Sequence, residues 1–197
     1  MAESRMHTFT LVMFGGHVLG LALATDFVMI SKRFIADGLN PACISSTNLQ
    51  DITNVYGPFL FGREDLRDRI QIYDDEEAMT PFYQLEDRSL KLPTLDWVRS
   101  TSAQVRAGDR IIIVLIGHGN SDGYIELNPQ HGPVEFLAKA EMLAALSVLP
   151  RDVRLLIINE ACFSGKWATM APDLGPERDV LIETSTTFGE RSFTYTS

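Results

Sequence analysis

Two runs of apolar residues limit most strongly what this chain can fold into. Arg110–Ile116 reads RIIIVLI and Val153–Ile158 reads VRLLII. Neither run alternates apolar with polar residues, as a strand with one wet face does, so both faces of each strand must be covered. Helical patterns separate such runs, an order typical of α/β folds. The sequence therefore predicts a three-layer α/β sandwich with a mostly parallel central sheet.

Shorter patterns supply the other predicted elements. Further strands are predicted at residues 9–14, 42–46 and 180–184, and Gly123–Leu127 is predicted as a small hairpin arm. Apolar residues at helical spacing predict helices around residues 27–35, at Thr94–Ala107 and at Phe136–Val148. Thr47–Pro93 has no sustained period. It is predicted as a long irregular insertion, at about 47–93, with one helical turn near Arg63–Arg69.

Length and charge narrow the class of protein. The 197 residues predict a single domain over 1–197, and 17 Lys and Arg against 26 Asp and Glu give a net charge of −9. An acidic surface argues against nucleic acid or an anionic membrane as a partner. The apolar stretch Leu11–Ala24 is too short to span a bilayer and lacks the basic start of a signal peptide. Two cysteines make no disulfide framework, so a cytoplasmic protein is expected.

The two apolar strands end in residues that can carry chemistry. Gly117-His118-Gly119 follows the first, and Glu160-Ala161-Cys162-Phe163-Ser164-Gly165 follows the second. Residues just past the carboxyl ends of parallel strands line the ligand crevice of an α/β sheet. If a crossover helix joins the two strands, they are parallel and adjacent, and His118 and Cys162 share one mouth.

This pair of side chains has a chemical purpose. A cysteine thiol is largely protonated at neutral pH, and a nearby imidazole can accept its proton and leave the nucleophilic thiolate. The same imidazolium can then protonate a leaving amine. The backbone N–H groups of Gly119 and Cys162 are natural oxyanion-hole donors. Caspase-type enzymes have a similar order, with the histidine roughly 50 residues before the cysteine.

Three segments carry a family resemblance, namely RIIIVLIGHGNSDGYIEL, VRLLIINEACFSG and VLIETSTTFGERSFTYTS. Together they resemble the caspase–haemoglobinase fold of cysteine peptidases, and within it the legumain (asparaginyl endopeptidase) type. The resemblance is good from about residue 110 to 197, looser over 9–46 and absent from 47 to 93. It implies Cys162 as nucleophile, His118 as general base and acid, and an oxyanion hole at Gly119 and Cys162.

The resemblance also suggests pocket residues, and it has departures. Glu160, Ser185 and Ser192 are candidates for the substrate pocket, and His17 for the same mouth. Legumain-type proteins carry an Asn and an Arg-His pair after the first strand, whereas this chain has Gly15-Gly16-His17, so asparagine specificity is not carried over. The family sheet has six strands and five are clear here, which leaves open a homo-oligomer or a missing C-terminal segment.

Three functions remain open at this stage. The first is a peptidase that cleaves a peptide or amide substrate through a thioester. The second is a ligase, cyclase or transferase that passes the acyl group to a nucleophile other than water. The third is a catalytically silent binding module. No cofactor is expected, and four histidines and two cysteines show no metal-ligand spacing.

Overall fold

The computed structural model describes residues 6–16, 21–61, 69–73, 83–85, 89–127, 133–187 and 190–191. Its strands, in chain order, are β1 (Thr8–Phe14), β2 (Ala42–Ser45), β3 (Phe59–Phe61), β4 (Ile70–Tyr73), β5 (Tyr83–Leu85), β6 (Arg110–Ile116), β7 (His118–Gly119), β8 (Ile125–Leu127), β9 (Glu135–Leu137), β10 (Arg154–Asn159) and β11 (Val180–Thr184). The helices are α1 (Leu21–Ala36), α2 (Leu49–Tyr56), α3 (Lys91–Gln104), α4 (Lys139–Ala145) and α5 (Met170–Asp173), with a 3₁₀ segment at Ser164–Thr169.

The central sheet has the order β11-β10-β6-β1-β2-β5, and all of its neighbouring strands are parallel. The two apolar runs are β6 and β10, and they pair directly, with Ile113 opposite Ile157. This arrangement confirms the predicted fold class. It also confirms that the turns bearing His118 and Cys162 leave the carboxyl ends of two adjacent parallel strands.

Each face of the sheet carries its own core, because successive strand residues point to opposite sides. On one face Val12 and Phe14 pack against α1, where the Phe14 and Phe27 rings lie 5.6 Å apart. On the other face Leu11 and Met13 belong to a cluster that reaches α3, α4 and the small sheet β7-β8-β9. The result is the predicted three-layer sandwich. Within the described residues, no helix has both the length and the apolar character needed to cross a membrane.

The segment 47–93 is more ordered than the sequence indicated. It contains α2, the antiparallel pair β3-β4 and the strand β5. β5 pairs with β2 at the edge of the sheet and is its sixth strand among the described residues. The five strands predicted from the sequence all lie in the sheet, and β5 was not predicted. The helical turn expected near Arg63–Arg69 falls almost wholly outside the described residues.

The helix expected at Phe136–Val148 was also wrong at its start. Phe136 lies in β9, opposite Glu126 of β8, and the helix begins only at Lys139. The carboxylate of Glu141 accepts the backbone N–H of Ala138 at 3.0 Å, which stops the helix from extending further back. Pairing with β8 therefore outweighs the helical pattern at Phe136.

Asp109 connects the start of β6 to the N-terminal segment. Its carboxylate is 6% exposed and accepts the backbone N–H groups of Arg106 at 2.9 Å and His7 at 3.0 Å. The N–H of Arg106 lowers the pKa of Asp109 most, burial opposes that effect, and His7 lowers the pKa further. The charged carboxylate therefore stabilises the fold.

We predict that Asp109→Asn lowers the free energy of unfolding by about 1–2 kcal/mol at pH 7, because an amide cannot accept both N–H groups. The stabilisation by Asp109 is complete above its ordinary pKa, about 4, and is lost as the pH falls through its lower pKa in the folded protein. Urea denaturation from pH 7 down to pH 3 measures the effect. Asp96→Asn on exposed α3 is the control. Equal free energies of unfolding for Asp109→Asn and Asp96→Asn at pH 7 would contradict a stabilising role of Asp109.

Candidate active site

Gly119 lies directly against the backbone of Cys162. A Cβ built on Gly119 would overlap the carbonyl oxygen of Cys162 and would lie 2.9 Å from its carbonyl carbon and 3.1 Å from its nitrogen. Any side chain at this position would therefore push the two turns apart. A glycine is needed at position 119 because the two backbones touch. The turn after β6 and the turn after β10 thus form one unit.

The residue after the cysteine has an unusual conformation. Phe163 has φ 57° and ψ 16°, and among the described residues no other non-glycine residue has a positive φ. Its N–H donates to the carbonyl of Glu190 at 2.7 Å, and the N–H of Ser164 donates to Ala161 at 3.3 Å. A left-handed residue costs about 1 kcal/mol or more and persists where its surroundings hold it. Such strain beside a half-buried thiol is typical of a functional turn.

Asn159, the last residue of β10, shapes the start of this turn. It is completely buried, and its Oδ1 accepts the N–H of Ala161 at 3.1 Å. The N–H of Glu160 donates to the carbonyl of Leu115 at 2.9 Å, so the turn remains joined to β6. Sequence analysis did not select Asn159. The signal was an Asn at the end of an apolar run, two residues before the N–H that it accepts.

Ser185, which the sequence suggested as a pocket residue, lies beside the cysteine turn. Its Oγ donates to the carbonyl of Ala161 at 3.1 Å and lies 3.4 Å from the Oγ of Ser164. The Oγ of Ser164 is also 3.2 Å from that of Thr186. This hydroxyl cluster joins the end of β11 to the turn. Ser164 is buried, so its role is to fix the turn.

His118 is exposed and lies in the two-residue strand β7 of the small sheet. It pairs with Glu126, and Gly119 pairs with the buried Ile125. Because Gly119 lies against Cys162, the strand β7 places His118 one residue from that contact.

The segment after Cys162 holds the turn of this hairpin. The indole N–H of Trp167 donates to the carbonyl of Gly123 at 2.7 Å, and the Lys166 ammonium donates to the carbonyl of Ser121 at 2.6 Å. Trp167 is completely buried. Neither contact could be predicted from the sequence, because no local pattern links residues so far apart in the chain.

Glu160 has a carboxyl that resists ionisation. Burial raises its pKa from 4.5 to about 7, and the charge of Asp26 in α1 adds to the effect. Burial also raises the pKa of Asp26. The two carboxyl groups belong to different elements, since Glu160 follows β10 and Asp26 lies in α1.

Two remaining candidates, His17 and Ser192, lie outside the described residues. The second cysteine, Cys43, was not a candidate. It lies in β2, 1% exposed, where burial raises its thiol pKa to about 11. In the described part of the chain, no three His, Cys, Asp or Glu side chains form a group that could hold a metal ion.

Comparison with known proteins gives only distant likenesses. No family model and no curated protein matches the chain. One similar solved structure is protein GSU0716 from Geobacter sulfurreducens, with 13% identity and a TM-score of 0.38, over 86% of this chain and 55% of that one. Another is a secreted C11 cysteine protease from Bacteroides thetaiotaomicron, with 16% identity and a TM-score of 0.41, over 82% and 44%.

The chain thus spans about half the length of each of these two structures. At such low TM-scores, neither likeness identifies an activity for this chain. The case for a function rests on the chain's own residues.

We predict that Gly119→Ala separates the two turns, because its methyl group has no space beside Cys162. The substitution should lower the free energy of unfolding by about 1–3 kcal/mol and change the rate at which iodoacetamide alkylates Cys162. Gly38→Ala is the control, because a Cβ at Gly38 would meet no atom within 4 Å, although its φ is +78°. This control should lower the free energy of unfolding by about 1 kcal/mol and leave the alkylation rate of Cys162 unchanged. Unchanged alkylation in Gly119→Ala would show that the contact is dispensable.

We predict that Glu160→Gln stabilises the protein in mildly basic solution. A raised pKa means that ionisation opposes folding, so the wild type loses stability as the pH rises from 4.5 to about 7. At pH 8 the free energy of unfolding of the variant should exceed that of the wild type by about 1 kcal/mol, a figure reduced for the partial exposure of the side chain. At pH 5 the difference should be much smaller. Thermal unfolding at both values measures this, with exposed Glu177→Gln as the control. A variant less stable than the wild type at pH 8 would refute the assignment.

Proposed function

We propose that this protein is a cysteine peptidase-like hydrolase of the caspase–haemoglobinase type, with Cys162 as nucleophile and His118 as general base and acid. The observation that carries the proposal is the backbone contact between Gly119 and Cys162, which brings the two motif-bearing turns into one unit. The strained Phe163 beside the cysteine supports it, since such strain clusters at active sites. Cys162 is half-buried, whereas the other cysteine, Cys43, is fully buried.

The mechanism follows from these two side chains. His118 takes the thiol proton, and the Cys162 sulfur attacks the carbonyl carbon of an amide to form a tetrahedral intermediate. The N–H groups of Gly119 and Cys162 are the proposed donors to its oxyanion. His118 returns the proton to the leaving amine as the C–N bond breaks. Water then attacks the thioester carbonyl while His118 takes a proton from that water. The C–S bond breaks, His118 returns the proton to the Cys162 sulfur, and the carboxylic acid leaves.

The substrate in this proposal is a peptide or a related amide. Glu160 and Ser185 are the proposed pocket residues among those described, and His17 and Ser192 remain proposed with them. The legumain type is the proposed relationship within the fold, on the basis of the segment ending in Glu160-Ala161-Cys162. A cytoplasmic location, a single domain, no nucleic-acid or membrane partner and a homo-oligomer or further C-terminal segment stay predictions.

The proposal is tested without a known substrate by iodoacetamide alkylation at pH 6, read by mass spectrometry. Cys162 should react at least about tenfold faster than Cys43, and His118→Ala should remove most of that advantage, because thiolate is the reactive form. Buried Cys43 is the internal control. Equal, slow labelling of both cysteines, unaffected by His118→Ala, would refute the dyad and favour the binding module.

A peptide library then tests the reaction itself. Cys162→Ala should lower turnover by at least about 10³-fold, the scale expected when a covalent nucleophile is removed. Product masses with and without an added amine distinguish hydrolysis from acyl transfer. Turnover retained in the alanine variant would exclude covalent catalysis by Cys162, and amine-dependent products would favour the ligase or transferase alternative.

A further inference from the structure

The hairpin that carries His118 and Gly119 is internally rigid. The Oδ1 of Asn120 accepts the N–H groups of Asp122 and Tyr124, both at 3.0 Å. Asn120 also donates its own N–H to Tyr124 at 3.0 Å and accepts that of Gly123 at 2.8 Å. A shift at the tip of this turn therefore moves the strand β7, which ends one residue before Asn120.

Trp167 holds that tip from the segment that follows the nucleophile. Its indole lies completely buried and donates to the carbonyl of Gly123 at 2.7 Å. Gly123 has φ +81°, and a Cβ there would lie 2.9 Å from the side chain of Lys166. The tip thus fits closely between Trp167 and Lys166.

We propose that Trp167 is a positioning residue that sets the place of His118 relative to Cys162. The inference rests on the proposed function, and it goes beyond it by naming a residue that touches neither substrate nor reacting atoms. Trp167 lies five residues after Cys162 and holds the His118 hairpin, so the chain bearing the nucleophile also locates its base. Gly119 fixes one end of the hairpin against Cys162, and Trp167 fixes the other.

The hydrogen bond gives this role its specificity. A buried carbonyl that loses its donor keeps the whole cost of desolvation, so Gly123 would move to find another partner. A phenylalanine at position 167 keeps an aromatic ring in the core but provides no N–H. Small displacements of catalytic groups cost activity out of proportion to their size. Trp167→Phe therefore tests positioning separately from packing.

The experiment compares iodoacetamide alkylation of Cys162 at pH 6 and pH 9. Trp167→Phe should react about tenfold more slowly than the wild type at pH 6 and nearly equally at pH 9, where the thiolate forms without a base. Trp97→Phe is the matched control, because Trp97 packs at the edge of the same core on α3. The alkylation rate of Cys162 in Trp97→Phe should stay within about twofold of the wild-type rate, since no contact of the hairpin changes.

A double variant shows whether Trp167 acts through His118. Trp167→Phe combined with His118→Ala should be no slower at pH 6 than His118→Ala alone, because the effects of coupled residues do not add. A further tenfold loss in the double variant would overturn positioning, as would equal alkylation of Trp167→Phe and the wild type at both pH values. If His118→Ala leaves the alkylation rate of Cys162 at pH 6 equal to that of the wild type, the proposed function fails as well.

Lys166→Met is a second test that leaves the buried indole in place. It removes the ammonium bond to Ser121 at the same turn. We expect the alkylation rate of Cys162 at pH 6 to fall twofold to threefold. This loss is smaller than that for Trp167→Phe because the bond lies at the surface. Circular dichroism and cooperative thermal unfolding verify that each variant is folded. If Trp167→Phe does not fold, unchanged alkylation in Lys166→Met overturns the proposal.

Discussion

Direct pairing of β6 with β10 is the constraint on which the candidate site depends. Both strands are apolar on both faces and lie side by side in the middle of the sheet, with Ile113 opposite Ile157. Parallel strands end at the same edge, so the turns that follow them meet. Gly119 and Cys162 can touch only because this register brings the two ends level.

The cysteine turn differs from the rest of the chain in what holds it. The sheet is stabilised by apolar burial, whereas the turn depends on polar contacts of Asn159, Ser164, Ser185 and the Glu190 carbonyl around the strained Phe163. A hydroxyl cluster and a left-handed Phe add little to stability. These contacts fix the conformation of the turn that carries Cys162.

Local patterns predicted most of the sheet and the two motif-bearing turns. Strands such as Val180–Thr184 and the adjacency of β6 and β10 follow from runs of apolar residues. The strand β5 and the contact of Trp167 with Gly123 could not be predicted in this way, because each depends on partners far away in the chain. Phe136 shows the same limit, since pairing with Glu126 overrides its helical surroundings.

The two cysteines show why position in the sheet decides what a thiol can do. Cys43 lies inside β2, 1% exposed and donating to the Ser31 hydroxyl at 3.3 Å, and its environment raises its pKa to about 11. Cys162 lies three residues after Asn159, the last residue of β10, and is half-buried on a turn held by polar contacts. A thiol buried in the sheet behaves as a small apolar side chain. Cys162, just past the strand end, is half-buried and lies against the turn that bears His118, and the proposed nucleophilic role depends on this arrangement.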